Sequence, residues 1–98
     1  MFAAPRRSSD RFFTVLVRDN GLPHGRLGLA VSKKRIRRAV ARNRIKRLVR
    51  ESFRQHAGWL CGLDAVVMAR QDSAASNCDL RRSLEAHWLR LGSECPAV

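Results

Sequence analysis

The segment from Ala39 to about Ala57 constrains the fold most strongly, because its apolar and cationic residues separate at helical spacing. At about 100° per residue, one arc collects apolar side chains that can pack against a core. These residues are Ala41, Ile45, Leu48, Val49 and Phe53. The opposite side holds Asn43, Arg47, Arg50 and Arg54, flanked by Arg44 and Lys46, with Arg42 near the border of the apolar arc. The sequence therefore predicts a helix with one face in a core and a cationic face outside, closed by Gly58.

The charge of the chain is concentrated around this helix. The protein has 20 Lys and Arg against 8 Asp and Glu, a formal net charge of +12. Eleven of the cations lie between Lys33 and Arg54, where Glu51 is the only acid. A solvated helix face normally mixes both signs at i, i+4 spacing. Such a field repels itself, and binding to RNA or DNA phosphates relieves the repulsion and releases counterions.

The loop before the helix adds to this field. It carries Lys33, Lys34, Arg35, Arg37 and Arg38 at the positive end of the helix dipole, which disfavours each cation by a few tenths to ~1 kcal/mol. An anionic membrane surface is a competing partner, but the apolar stripe of the helix is already needed for the core. Asn43 can both donate and accept hydrogen bonds. Its spacing allows contact with a nucleotide or a metal-bound water, or a bond to a neighbouring carbonyl.

Three other segments predict strands, because they are rich in β-branched and aromatic or alternating apolar residues: 11–18, 26–32 and 63–70. The nearly continuous apolar run of the third predicts burial on both faces. NGLPHG at 20–25 predicts a turn. A last helix begins near Ser76, which has capping-box spacing to Asp79, and its apolar stripe includes Leu84 and Trp88. The order β-β-α-β-α predicts a single α+β domain over 1–98, with 1–10 as a loose lead-in and 92–98 as a tail.

Other features limit the range of functions. Cys61, Cys78 and Cys95 are odd in number and widely spaced, which indicates free thiols rather than a disulfide framework or a zinc site. No apolar run reaches the ~20 residues that span a bilayer, and nothing resembles a signal peptide, so we expect a soluble cytoplasmic protein. The acids are scattered, without the close pair that general acid–base chemistry needs. The residues alone therefore indicate a binding protein rather than an enzyme.

Residues 26–54, RLGLAVSKKRIRRAVARNRIKRLVRESFR, closely resemble the signature of the bacterial ribonuclease P protein subunit. The resemblance continues through DAVVMAR and DLRRSLEAHWLRL and covers roughly residues 11–91. It implies the non-catalytic protein subunit of a ribonucleoprotein endoribonuclease, a hydrolase that removes the 5′ leader of precursor tRNA. In that family the catalytic RNA carries the active site and holds most of the Mg²⁺. The implied partners are this RNA and precursor tRNA, with no membrane and no obligate protein partner.

The resemblance also assigns residues and a fold. It implies a small two-layer α/β sandwich with a left-handed β-α-β crossover. Family members usually open with a helix that helps to wall a cleft for the leader. Here only Phe2 and a few residues precede the first predicted strand, so we expect that helix to be largely missing, because the start lies upstream or because the cleft is reduced. We predict no catalytic or metal-binding residue in the protein. The leader cleft would contain Phe12, Phe13 and Val15, and the RNA-binding residues would be Lys33, Lys34, Arg35, Arg37, Arg38, Arg42, Asn43, Arg44, Lys46, Arg47, Arg50 and Arg54.

A second hypothesis remains open, namely a general nucleic-acid-binding or ribosome-associated module with no role in processing. It predicts similar binding to unrelated duplexes and no preference for substrates that carry a leader.

Overall fold

The structure is a computed structural model that describes residues 5–70 and 76–92. Six elements follow one another: β1 (Arg6–Ser9), β2 (Phe13–Asp19), β3 (Arg26–Ala30), α1 (Ala39–Gln55), β4 (Leu63–Ala69) and α2 (Asn77–Leu91). Residues 71–75, the tail after Gly92, which includes Cys95, and the first four residues of the lead-in lie outside the described residues.

The four strands form one sheet in the order β1-β2-β4-β3. β2 pairs antiparallel with both β1 and β4, whereas β3 pairs parallel with β4. The unit β3-α1-β4 therefore connects two neighbouring parallel strands across the basic helix. The α+β fold is confirmed, and the left-handedness of this crossover stays a prediction.

The lead-in is the main correction to the predicted order. Residues 6–9 form the edge strand β1, in a register that runs from Arg6 opposite Val17 to Ser9 opposite Thr14. The sequence RRSS has little strand propensity of its own. Its pairing depends on the edge of β2 and on Ser8, which is 4% exposed and lies 2.7 Å through its Oγ from Nδ1 of His87 in α2. The observed order is β-β-β-α-β-α.

β4 is central, as predicted, but the prediction that it is buried on both faces is wrong. Leu63, Ala65, Val67 and Ala69 are buried, whereas Val66 between them is 40% exposed. The buried residues share one hydrophobic core with the apolar stripes of both helices, so α1 and α2 lie on the same side of the sheet. Within the described residues the other face is uncovered. The long apolar run reflects the central position of the strand rather than two-sided burial.

The core confirms the helical stripes that the sequence predicts. Ile45, Leu48 and Val49 of α1 are buried together with residues of α2, namely Leu80, Leu84, Trp88 and Leu91. The indole of Trp88 donates to Oγ of Ser52 at 2.8 Å, and its ring meets Phe53 edge-on with centroids 5.7 Å apart. The Ser76 cap is also confirmed, since its Oγ accepts from the Asp79 amide at 3.1 Å.

The two cysteines of the described part of the chain differ in their covalent state. Cys78 is exposed and free, as predicted, but Cys61 is disulfide-bonded, so the prediction of a free thiol there is wrong. Folding can bring together cysteines that are far apart in the chain, and their spacing alone does not reveal this.

No helix in the described part of the chain is both long and apolar enough to cross a membrane.

Candidate nucleic-acid interface

The outer face of α1 forms a cationic groove. Arg47, Arg50 and Arg54 are exposed there, as is Asn43, while Lys46 and Glu51 are half-buried. These six residues line a shallow groove of ≈ 570 Å³. The polar stripe that the helical spacing predicts is therefore a real surface feature. We call it the α1 groove.

The cations of the α1 groove have no acidic partner among residues 5–70 and 76–92. The acid–base contacts within 4.0 Å found there join Arg26 to Asp64 and the imidazole of His87 to Asp10, away from α1. Glu51 makes none within 4.0 Å, although Arg47 and Arg54 stand at helical spacing from it. The positive charge is therefore free to meet an external anion.

Asn43 also has no hydrogen-bond partner for its side chain among the described residues. The predicted alternative in which its amide bonds a neighbouring carbonyl is therefore not seen in the described part of the chain. Contact of Asn43 with a nucleotide or a metal-bound water stays a prediction.

The basic loop, residues 32–38, continues the surface beyond the start of α1. Lys33, Lys34, Arg35, Arg37 and Arg38 are all exposed. Arg38 is the N-cap residue of α1, without a side-chain capping bond, and the first helical turn has no acid. The positive end of the helix dipole therefore adds to the field of the five side chains instead of being neutralised.

Three of the predicted RNA-binding residues, Arg42, Arg44 and Lys46, are less accessible than the others. Arg42 is half-buried, and its Nη1 donates to the carbonyl oxygens of Ile36 at 3.0 Å and Arg37 at 2.8 Å. Arg44 is also half-buried, and its Nε has no hydrogen-bond partner in the described part of the chain. The position of Arg42 at the border of the apolar arc was the sequence signal for its partial burial.

The predicted leader cleft needs correction. Phe13 and Val15 are 1% and 0% exposed and lie in the core, so they cannot line a surface cleft. Alternation along β2 turns both toward the helices. Phe12 is half-buried outside the strand, with the Arg11 guanidinium 5.2 Å from its ring centroid. Of the predicted cleft residues, Phe12 is therefore the one that is partly accessible.

The uncovered face of the sheet contains residues that are not among the predicted site residues. Leu16 of β2 lies opposite Val66 of β4, and Gly28 of β3 lies opposite Val66 on its other side. A Cβ at Gly28 would lie 3.6 Å from a Val66 methyl. Because glycine has no side chain, the sheet surface beside Val66 is flat at this position. Pro5, Leu16 and Val66 line a cavity of ≈ 290 Å³ together with Val17, Arg18 and Asp64. The signal was available, since alternation from Phe13 and Val15 places Leu16 on the opposite face.

At one end of this face, an ion pair neutralises the charge of Asp64. Arg26 binds Asp64 through two contacts, Nε to Oδ1 and Nη2 to Oδ2, each 2.7 Å long. The Arg26 hydrogen bond, helped by the amide of Asn20, lowers the pKa of Asp64 to about 2. Asp64 therefore stays ionised at neutral pH, with its charge balanced by Arg26.

A buried polar cluster joins β1 to α2 away from the α1 groove. Ser8 Oγ lies 2.7 Å from Nδ1 of His87, and Nε2 of His87 lies 3.1 Å from Oδ2 of Asp10, although that contact lacks hydrogen-bond alignment. Ser83 donates to the same carboxylate oxygen. The order Ser, His, Asp resembles a nucleophile with its base. Because His87 is 1% exposed, no substrate can reach the imidazole, and the cluster instead fixes the edge strand.

Residues 5–70 and 76–92 offer no metal site of their own. Among the described residues, no group of three or more His, Cys, Asp or Glu side chains could hold a metal ion. Magnesium prefers carboxylate and other oxygen ligands. The scattered carboxylates described here do not fit a Mg²⁺ site built by the protein alone.

A basic α+β domain with an unpaired cationic helix face is typical of a nucleic-acid-binding protein. The family model for ribonuclease P matches residues 1–92, and the chain belongs to the ribonuclease P protein family. The general role of this family is tRNA 5′ processing together with an RNA subunit.

Similar proteins carry the same description. The ribonuclease P protein component of Methylococcus capsulatus is 58% identical over 90 residues, which cover 91% of this chain and 70% of that protein. The component from Thioalkalivibrio sulfidiphilus is 53% identical over 96 residues, 97% of this chain and 80% of that one. Among solved structures, the RNase P protein from Thermotoga maritima in complex with 1-(4-fluorophenyl)-2-thiourea has a TM-score of 0.80 and 32% identity, and covers 89% of this chain and 86% of that chain.

Proposed function

We propose that this chain is the protein subunit of ribonuclease P, which binds the catalytic RNA and the 5′ leader of precursor tRNA in the cytoplasm. It thereby promotes endonucleolytic removal of the leader. The observation that carries the proposal is the α1 groove, whose cations have no acidic partner in the described part of the chain. RNA phosphates would supply the missing counter-charges and release condensed ions.

The chemistry in this proposal belongs to the RNA. Any Mg²⁺ that the reaction needs would be held by the RNA, since the described carboxylates do not fit a site built by the protein alone. The protein binds and orients, through the α1 groove and the basic loop on the RNA side. The titratable cluster at His87 is enclosed in the fold and is therefore not available as a general acid.

The leader, in this proposal, runs along the uncovered face of the sheet rather than over Phe13 and Val15. Leu16 and Val66 offer apolar contact for unstacked bases or riboses, and the lack of a side chain at Gly28 lets the leader backbone approach closely.

The test of the main proposal is reconstitution with a bacterial ribonuclease P RNA at low magnesium concentration, with cleavage of precursor tRNA as the readout. We expect the protein to accelerate leader removal and to cleave nothing when the RNA is omitted. An unchanged cleavage rate would reject the proposal. Equal affinity for precursor and mature tRNA would instead favour a general RNA-binding module.

The position of the leader has its own test. Val66→Glu places a negative charge on the uncovered face and should reduce the preference for precursor over mature tRNA. Leu89→Glu is a matched control, because Leu89 is 55% exposed on α2 and belongs to neither proposed RNA surface. If both variants keep the preference of the wild type, the leader does not lie on this face.

A further inference from the structure

The basic loop holds five like charges that repel one another. They lie at the start of a helix that has neither a side-chain cap nor an acid in its first turn. The Arg38 side chain makes no capping bond, and the first turn of α1 contains no acid. Repulsion among the side chains and with the helix dipole favours a spread, mobile backbone. Other contacts have to fix the loop if its charges are to act together.

Arg42 makes such contacts from within α1. A single nitrogen, Nη1, donates to the carbonyls of Ile36 and Arg37 at 3.0 and 2.8 Å. Guanidinium is planar and always charged, so it can bridge two carbonyl dipoles while its stem packs along the helix. The half-buried side chain thus ties the last part of the loop to the first turn of the helix.

A second set of contacts holds the loop from the other side. Ile36 is 0% exposed and inserts into the core, while its amide donates to the Ser32 carbonyl at 2.9 Å. The Lys34 amide donates to Oγ of Ser32 at 3.1 Å. With Arg42 bridging the carbonyls of 36 and 37, the loop backbone is fixed between the core and the helix. The charged side chains of Lys33 and Lys34 remain exposed.

We propose that Arg42 is a positioning residue for RNA binding, which clamps the basic loop so that the loop cations engage backbone phosphates as one preorganised surface. Its main effect on affinity passes through Lys33 and Lys34 rather than through a phosphate contact of its own. A fixed loop has less freedom to lose on binding, so it binds more tightly than a mobile loop of equal charge. This inference rests on the proposed function, since RNA is the ligand that the loop engages.

The clamp can be tested in the free protein by amide hydrogen exchange. In Arg42→Met we expect the Ile36 amide to exchange at least about tenfold faster, while amides inside α1 such as that of Leu48 keep their rates. Arg47→Met is the control and should leave Ile36 unchanged, because Arg47 makes no contact with the loop. Arg42→Lys keeps the charge and most of the stem but is one bond shorter, so it reports the same acceleration if the methionine variant does not fold. An unchanged Ile36 rate in both Arg42 variants overturns the clamp, whatever the RNA result.

A double-mutant cycle then tests the role in binding, with a bacterial ribonuclease P RNA as the probe. We expect Arg42→Met to weaken binding about fivefold to tenfold in the wild type, but by less than about twofold when Lys33→Ala and Lys34→Ala are already present. Arg47→Met should cost the same factor in both backgrounds, as an independent phosphate contact does. An equal cost of Arg42→Met in both backgrounds shows direct contact and overturns the proposal. If the wild type itself fails to bind this RNA, the proposed function falls, and the exchange experiment still reports separately on the clamp.

Discussion

Arg47→Ala is the sharpest test of the α1 groove, because Arg47 is exposed, lines the groove and has no acidic partner in the described part of the chain. One phosphate contact contributes about 0.9 to the slope of log K against log salt. If wild type and variant bind equally at ~1 M salt, where the electrostatic contribution vanishes, then at ~0.15 M salt the loss of one contact lowers affinity by about 0.7 log units, or roughly fivefold. The fold should be unaffected, since the side chain packs against nothing in the core.

The assay is a filter-binding titration against a bacterial ribonuclease P RNA at four or more salt concentrations. Wild type and Arg47→Ala should give lines that converge toward high salt, with the variant shallower by about one unit. Arg81→Ala removes an exposed arginine of α2, outside the groove, and should leave the slope unchanged. An unchanged slope for Arg47→Ala, or an equal loss for Arg81→Ala, would refute the assignment of the groove as the RNA-facing surface.

Two further predictions concern charge and pH. Glu51→Gln should strengthen RNA binding by about twofold to fivefold at low salt, because it removes ~0.5–1 kcal/mol of screened repulsion between the unpaired carboxylate and phosphate. A fluorescence titration measures this change. Weaker binding of the variant would show instead that Glu51 contacts the RNA favourably. Burial lowers the pKa of His87, with the nearby Asp10 opposing the shift in part, so the imidazole is held neutral in the folded protein. Stability is then fully present above the unfolded value near 6.5 and falls as the pH drops below it, since the unfolded chain binds the proton more readily. Urea unfolding at about pH 7.5, 6.5 and 5.5 should show this decline, and His87→Gln should flatten it; a wild-type stability that rises toward acid would contradict the burial of a neutral histidine.

Asp10 contributes in the same direction at lower pH. Burial acts to raise its pKa, but hydrogen bonds from Ser83 and from the amides of Phe13 and Phe12 outweigh it, so the pKa lies below the usual value. The stability that Asp10 adds is therefore present above about pH 4 and lost as the carboxylate protonates in stronger acid. Urea unfolding extended to about pH 4 and pH 3 should therefore show a second decline, separate from that of His87.

The elements that could be predicted from the sequence are those whose pattern is local. The α1 stripe follows from one helical period, and both its buried residues and its exposed cations lie where that period places them. The Ser76 cap and the buried stripe of α2 are equally local. In each case a few neighbouring residues contain the whole signal.

The features that escaped prediction depend on contacts between distant segments. The pairing of β1 with β2 depends on the contact of Ser8 with His87, 79 residues away in the chain. The local sequence RRSS does not predict this contact. β4 looked buried on both faces because residue type does not tell whether a second layer exists. Phe13 and Val15 were assigned to the wrong face for the same reason, since alternation gives two faces but not which one the helices cover. The role of Arg42 needed the coordinates of two carbonyl groups.

A chemical footprint on the assembled complex tests the central claim most directly, namely that the outer face of α1 and its preceding loop meet the RNA. The chain has only three lysines, Lys33, Lys34 and Lys46, and all three lie on this surface. Acetylation read by mass spectrometry should therefore be suppressed at every lysine when ribonuclease P RNA is added. A parallel arginine-modification experiment should protect Arg47 and Arg50 while leaving Arg81 and Arg82 of α2 reactive. Reactive lysines in a saturated complex, with protection confined to α2, would contradict the claim.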